Sequence, residues 1–318
     1  MALVGGVSAF VSPQLYLLAG SAGMLSSDGQ CKAFDDSANG FVPSEGVGCV
    51  LIKPLKNAVE DNDNIYAVIK GSGLNQDGKS NGITAPNGLS QTALEQEVYD
   101  KYHINPEEID YIEAHGTGTI LGDPIEVSAL IDSFKKYTNK EHYCALGSVK
   151  TNIGHAQLAA GVASVIKAVL MLQHKEIPPI ANFKKLNHHI NLEHTPFYIN
   201  QERKYWTCEK EGTRKVAISG FGFSGTNAHV VLQEFVQDSL MGENNRRHYY
   251  PICLSAKSEK ALLGELQELQ WWIKKNKDEL TIERISYSLC QYKSHFDIRT
   301  AFVVSSMEEL SEFLSKVN

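Results

Sequence analysis

The sequence predicts a layered α/β protein, and three observations carry that expectation. Through residues 109–173, short apolar strand patterns alternate with helical ones, the signature of layered α/β domains. Two β-branched strand patterns lie at 215–219 (KVAIS) and 229–233 (HVVLQ), joined by the glycine-rich GFGFSGTNA. Beyond a polar stretch at 237–248, which holds GENN and two arginines, a second and shorter α/β alternation begins.

The elements follow in order. The chain opens MALVGGVSAF, apolar from Met1 as though in mid-strand; domain starts are usually looser, so further structure is expected upstream. Residues 46–52 (GVGCVLI) and 65–70 (IYAVIK) read as strands around the charged turn EDNDN. Residues 71–88 (GSGLNQDGKSNGITAPNG) read as a polar, glycine-rich loop of the kind that lines sites. A helix is expected over 89–102 with Ser90 as its N-cap. Strand 109–114 (IDYIEA) runs into HGTGT, and Asp123-Pro124 opens a helix over 124–137, with proline in the first turn as helix starts prefer. Strand 143–147 (YCALG) and a helix from His155 to Gln173 complete the alternation, closed by Pro178-Pro179. The final part reads as strand 250–255, helices 259–275 and 282–292, strand 299–305 and a helix from Met307. The resulting divisions are 1–236, a linker segment at 237–248, and a small α/β domain at 249–318.

Charge and composition narrow the function. A formal charge of −7, with no basic block beyond Arg246-Arg247, argues against a nucleic-acid surface. The most apolar window, 161–172, is too short to span a bilayer and carries Lys167. Six cysteines without CxxC spacing, no zinc-ligand spacing and no signal-peptide pattern point to a reduced, cytoplasmic protein without a metal. Cys31 sits in a polar turn, Cys49 and Cys144 read as strand core, and no cysteine has the surroundings of a nucleophile.

Gly220, Gly222 and Gly225 form a literal GxGxxG, yet a strand pattern rather than a helix follows, so the dinucleotide reading fails. His115 ends a strand among the small residues Gly116, Thr117, Gly118 and Thr119, where α/β proteins place ligands. His155, preceded by Asn152 and Gly154, stands at the start of an apolar helix, whose N-terminus favours a neutral imidazole able to donate a hydrogen bond to an oxyanion. Lys150 lies five residues earlier. On spacing alone a surface lysine and a capping histidine remain an open alternative. His188, His189 and His194 read as a solvated loop, and Trp271-Trp272 as core.

Three stretches, EAHGTGTILGDPIEVSAL, GSVKTNIGHAQLAAG and SGFGFSGTNAHVVLQE, resemble the C-terminal signatures of β-ketoacyl synthase domains in modular polyketide synthases. SSDGQCKAFDDSANGFVPSEGVGCVLIKPL and LNQDGKSNGITAPNG match that family's intervening segments, and residues 249–318 look like the linker domain that follows such a ketosynthase. The resemblance implies a thiolase fold of two α/β halves and a homodimer. It implies a nucleophilic cysteine in a DTACSS-type motif, which does not occur in this sequence, so an N-terminal complement would supply it. It implies no directly bound cofactor: the phosphopantetheine arm of an acyl carrier protein delivers an acyl chain and a malonyl-type extender, which loses CO2 and condenses. By motif position His115 and His155 would stabilise the enolate and Lys150 would order the second histidine. Thr117, Thr119, Asn152, Gly222 and the tunnel-shaping Phe221 and Phe223 would contact substrate. The competing reading is a non-catalytic docking piece of a polyketide megasynthase.

Overall fold

Apolar and β-branched runs of the central region pair into one mixed sheet in the computed structural model, which describes residues 1–79, 86–207, 213–236, 248–276 and 280–316. In chain order the elements are β1 (Ala2–Ser8), α1 (Gln14–Ser21), β2 (Gly46–Ile52), α2 (Leu55–Glu60), β3 (Ala67–Gln76), α3 (Gly88–Lys101), β4 (Tyr111–Glu113) and α4 (Gly122–Phe134). Then come β5 (Cys144–Gly147), α5 (Lys150–Ile153), α6 (Ala160–His174), β6 (Glu176–Ile177), β7 (Phe197–Ile199), β8 (Lys204–Tyr205), β9 (Lys215–Phe221) and β10 (Thr226–Glu234). The chain divides into two compact units, Met1–Val236 and Gln237–Asn318.

In the first unit the sheet order is β3-β10-β9-β4-β5-β7. The first three strands are antiparallel neighbours, while β9, β4, β5 and β7 run parallel. Side-chain alternation splits each strand between two cores. Ile112, Ala217 and Val231 face Leu94, Val98, Leu130 and Phe134 of α3 and α4. Tyr111, Val216, Ile218 and Leu232 face Ala168, Met171 and Leu172 of α6. Helices therefore cover both faces, and the parallel strands β9, β4 and β5 all end on one edge, where α/β sheets place their sites.

Several expectations are corrected. The strand expected to stop at Lys70 runs on to Gln76, pairing with β10 from Ala67↔Glu234 to Gln76↔Thr226. The glycines read as loop let α3 come close: a Cβ on Gly73 would stand 2.7 Å from Val98. Residues 80–85 of that stretch lie outside the described residues. Asn87, not Ser90, caps α3, accepting from the amides of Leu89 and Ser90. The helix expected from His155 begins at Ala160, after a 3-10 turn at Gln157–Ala159, so His155 is not in its first turn. The 18-residue window Gln157–His174, of mean hydropathy 1.2, is apolar enough by composition to cross a membrane, but its helix packs as core on the sheet.

Strands β1 and β2 form a separate antiparallel pair. Gly6 and Gly48 let it lie against Leu158, Ala159 and Val162. Its remaining surface is bare: Leu3 is 73% exposed and Val47 82%. Cys49, expected in a core, is exposed here, whereas Cys31, expected in a polar turn, is buried.

The second unit pairs β11 (Tyr250–Ala256) with β12 (Ile298–Val304) and packs α7 (Glu259–Lys275), α8 (Ile282–Gln291) and α9 (Met307–Ser315) around Ile252, Leu254, Leu266, Ile285, Leu289 and Leu310. Ser258, Thr281 and Ser306 cap the three helices through their hydroxyls. Trp271 and Trp272 are both exposed rather than core, because the buried stripe of α7 runs through Leu266 and Ile273. Cys208 and all of the expected linker segment except His248 lie outside the described residues.

Candidate active site

The parallel strands deliver the candidate residues to one place. β4 ends at Glu113 and leads into His115; β5 ends at Gly147 and leads into Lys150; β9 ends at Phe221. The HGTGT turn after β4 is then pinned by two carboxylates from α4. Glu126 accepts the amides of His115 and Gly116 at 2.7 and 2.8 Å. Asp123 accepts those of Phe34 and Gly118 at 2.8 and 3.2 Å. Burial pushes Glu126 up to about 7 and Asp123 up to about 6, against the pull of those amide donors. Gly118 adopts φ +77° and a Cβ there would meet the Lys32 amide nitrogen at 2.7 Å, so glycine is required on both counts.

His115 and His155 stand edge to face, with ring centroids 5.6 Å apart. His155 reaches this position through strand-like pairing, not through a helix terminus: its amide donates to Val42 O at 2.7 Å and its carbonyl accepts from Ser44 N at 3.0 Å. Phe41, buried, sets its ring against His155 at 5.4 Å. Each imidazole is oriented by a backbone amide. Phe221 N–H donates to Nδ1 of His115 at 3.3 Å, and Gln157 N–H donates to Nδ1 of His155 at 3.1 Å. A nitrogen that accepts cannot carry the proton in a neutral ring, so both rings place their N–H at Nε2.

Both rings are held neutral. Burial lowers the pKa of His155 to about 3, and the Lys150 charge acts in the same direction. Burial likewise holds His115 well below the ordinary range, with Lys150 and His155 adding to it. The helix-terminus argument for His155 is therefore replaced by desolvation and a neighbouring ammonium. Lys150, 2% exposed, donates from Nζ to the His115 carbonyl at 2.5 Å. It thus braces the first histidine's backbone, rather than ordering the second histidine's ring.

The remaining candidates divide. Phe221 packs its ring at 5.7 Å from His115, whereas Phe223 is 58% exposed in the β9–β10 turn. Gly222 closes that turn, its amide donating to Thr226 O at 2.7 Å. Thr117 and Thr119 place their hydroxyls 3.3 Å from each other. Asn152 is exposed and lines a cavity of about 250 Å³ with Gln30, Cys31, Lys150 and Asn182, on which neither histidine borders. The Cys31 thiol accepts the Val42 amide at 3.1 Å, and burial pushes its pKa up, the opposite of a nucleophile. His188 and His194 are exposed and paired with Asp36 and Glu141. Among the described residues no cluster of histidine, cysteine and carboxylate side chains is built to hold a metal.

Comparison with known proteins gives this arrangement its family. Residues 66–184 match the β-ketoacyl synthase C-terminal domain, residues 1–58 the β-ketoacyl synthase N-terminal domain, and residues 250–314 the CurL-like PKS C-terminal domain. Polyketide synthase PksL of Bacillus subtilis is 47% identical over 315 residues, 99% of this chain and 7% of that protein. The solved ketosynthase from module 6 of the bacillaene synthase of Bacillus subtilis is 46% identical with a TM-score of 0.84, covering 99% of this chain and 54% of that one. The chain belongs to the β-ketoacyl synthase family of modular polyketide synthases. Its fold is thiolase-like, and it spans about half the length of the solved ketosynthase and a small fraction of the curated synthase. The match of residues 1–58 to the N-terminal domain falls within the stretch 1–236 expected as a C-terminal portion.

Sequence reasoning overlooked part of this candidate site. Asp123 and Glu126 were legible only as acids that suit a helix start, although they bind the turn that carries His115. Glu113 is a charged residue inside an otherwise apolar strand, which is itself a signal, and it is fully buried.

Proposed function

We propose that this chain forms the histidine-bearing part of a ketosynthase that joins an acyl chain to a malonyl-type extender by decarboxylative Claisen condensation. The observation that supports it is the facing pair of neutral imidazoles, each with Nδ1 occupied by a backbone amide and with Nε2–H free of a partner among the described residues. Loss of CO2 from a malonyl thioester leaves an enolate whose oxygen carries the developing charge. Two preorganised N–H donors meet that charge without reorganising. One such donor is worth about 10²–10³ in rate, about 3–4 kcal/mol. The enolate carbon then attacks the acyl thioester carbonyl, the cysteine thiolate leaves, and the lengthened β-ketoacyl chain remains on its carrier.

In this reading the cysteine comes from an N-terminal complement, and an acyl carrier protein presents both substrates on its phosphopantetheine arm. The bare apolar surface of β1 and β2 favours such a complement, and the finished enzyme is a dimer in a reducing cytoplasm. Co-expression with an N-terminal ketosynthase portion bearing a DTACSS-type motif tests the proposal. Association, cysteine-dependent acyl loading, and condensation that disappears in His155→Ala while loading persists are the expected results. A chain that neither binds the complement nor supports condensation with it is a docking piece instead.

A further inference from the structure

The carboxylate of Glu113 is 0% exposed, and it touches three elements of the site at once. Its own strand, β4, leads two residues later to His115. Oε1 accepts the amide of Val149 at 2.6 Å, fixing the residue that immediately precedes Lys150, and lies 3.5 Å from Ser164 Oγ on α6. Oε2 accepts from Lys167 Nζ of α6 at 2.7 Å and from Tyr111 OH at 3.1 Å. Lys167 in turn bonds Tyr111 OH at 2.7 Å, so one carboxylate, one ammonium and one phenol close a ring under the site.

Lys150 needs such a neighbour. It sits in a nearly dry position, where burial disfavours its charge, and the hydrogen bond from its Nζ goes to the His115 carbonyl, not to a carboxylate. The groups that bear on it electrostatically come from several elements: Glu113 from β4 and Glu126 and Asp123 from α4 favour the ammonium, Cys31 from the loop before β2 would do so only as a thiolate, which its raised pKa opposes, and His115 and His155 face it as neutral rings. Of the favourable charges Glu113 acts most strongly. Glu126 is itself pushed up to about 7 by burial, so near neutrality its charge is only partial, and Asp123, pushed up to about 6, begins to lose its charge just below neutrality.

We propose that Glu113 is a positioning residue of the condensation site: it anchors the Lys150 turn through the Val149 amide and supplies the charge that keeps Lys150 an ammonium beneath His115. Lys167 shares that charge and moderates it. The consequence for catalysis rests on the ketosynthase reading above; the electrostatic coupling itself does not.

The test separates anchoring from charge. Glu113→Gln keeps an acceptor for the Val149 amide and removes the charge; Lys167→Met removes the competing ammonium and leaves Glu113 to Lys150 alone. In the full chain labelled at the lysine ε-carbons, the Lys150 signal is identified by its loss in Lys150→Met and followed through a pH titration. The expected result is a midpoint moved to lower pH in Glu113→Gln and to higher pH in Lys167→Met. If Glu113→Gln fails to fold, the upward shift in Lys167→Met decides alone. An unmoved midpoint in the folded variants overturns the proposal. With the N-terminal complement present, Glu113→Gln should lower kcat more than it changes KM and bring the alkaline limb of the rate profile to lower pH. A complemented wild type without condensation would refute the ketosynthase reading while the lysine titration still stands. An active wild type whose alkaline limb is unchanged by Glu113→Gln would refute the role assigned to Glu113.

Discussion

Glu95 of α3 gives the most quantitative expectation. It is 1% exposed, and neither carboxylate oxygen has a hydrogen-bond partner among the described residues. The Ser133 hydroxyl beside it eases that cost without reaching hydrogen-bonding geometry. Burial raises its pKa well above the ordinary 4.5, and the charge of Glu126 pushes the same way. The folded protein therefore keeps the Glu95 proton to a higher pH than the unfolded chain does. A raised carboxyl pKa contributes stability that is whole below about 4.5 and declines as the pH rises from there. The slope of that decline is at most about 1.4 kcal/mol per pH unit, one proton's worth. Glu95→Gln keeps the shape and removes the titration. Urea unfolding of both proteins between pH 4.5 and 7 should show near-equal stability at the acid end and a gap that widens in favour of Glu95→Gln. Each kcal/mol gained corresponds to a rise in Tm of roughly 2–4 °C for a unit of this size. Parallel stability profiles, or a variant less stable at pH 7 than at pH 4.5 relative to wild type, would refute the burial argument.

Three further expectations follow from the site and the bare strand pair. Gly118→Ala places a Cβ 2.7 Å from the Lys32 amide nitrogen at φ +77°, and should cost about 1–3 kcal/mol in stability and loosen the His115 turn, read by denaturant unfolding. Val47→Lys, at an 82% exposed position, should leave the isolated chain folded by circular dichroism yet weaken capture of an N-terminal ketosynthase portion in co-purification. His115→Ala in the complemented enzyme should lower condensation by about 10²–10³ with acyl loading retained, measured by carrier-bound product formation.

Much of the architecture could be read from residue patterns, because the strands β4, β5, β9 and β10 are apolar runs bounded by glycine, proline or polar turns. His115 and Lys150 were legible for a related reason: strand ends facing small residues mark site edges. What the patterns concealed was long-range. Gly71 and Gly73 looked like loop glycines, yet they make room for Val98 of a packed helix and for Tyr102 just past its end. His155 looked helical because the apolar run after it begins at once, whereas its backbone pairs with Val42 and Ser44, more than a hundred residues earlier. Cys31 sits among polar neighbours in sequence and is buried in space. Glu113, Asp123 and Glu126 are ordinary acids until their amide partners are known. Trp271 and Trp272 sit outside the stripe of α7 that faces its core, a distinction that a local view of two adjacent tryptophans does not make.

Nitrogen NMR of histidine-labelled chain examines the central claim most directly. Between pH 5 and 8 the rings of His115 and His155, assigned by His115→Ala and His155→Ala, should both show the neutral form with the proton on Nε2, because burial and Lys150 oppose charging and backbone amides occupy Nδ1. A ring that protonates in this range, or that carries its proton on Nδ1, would contradict the two-donor site.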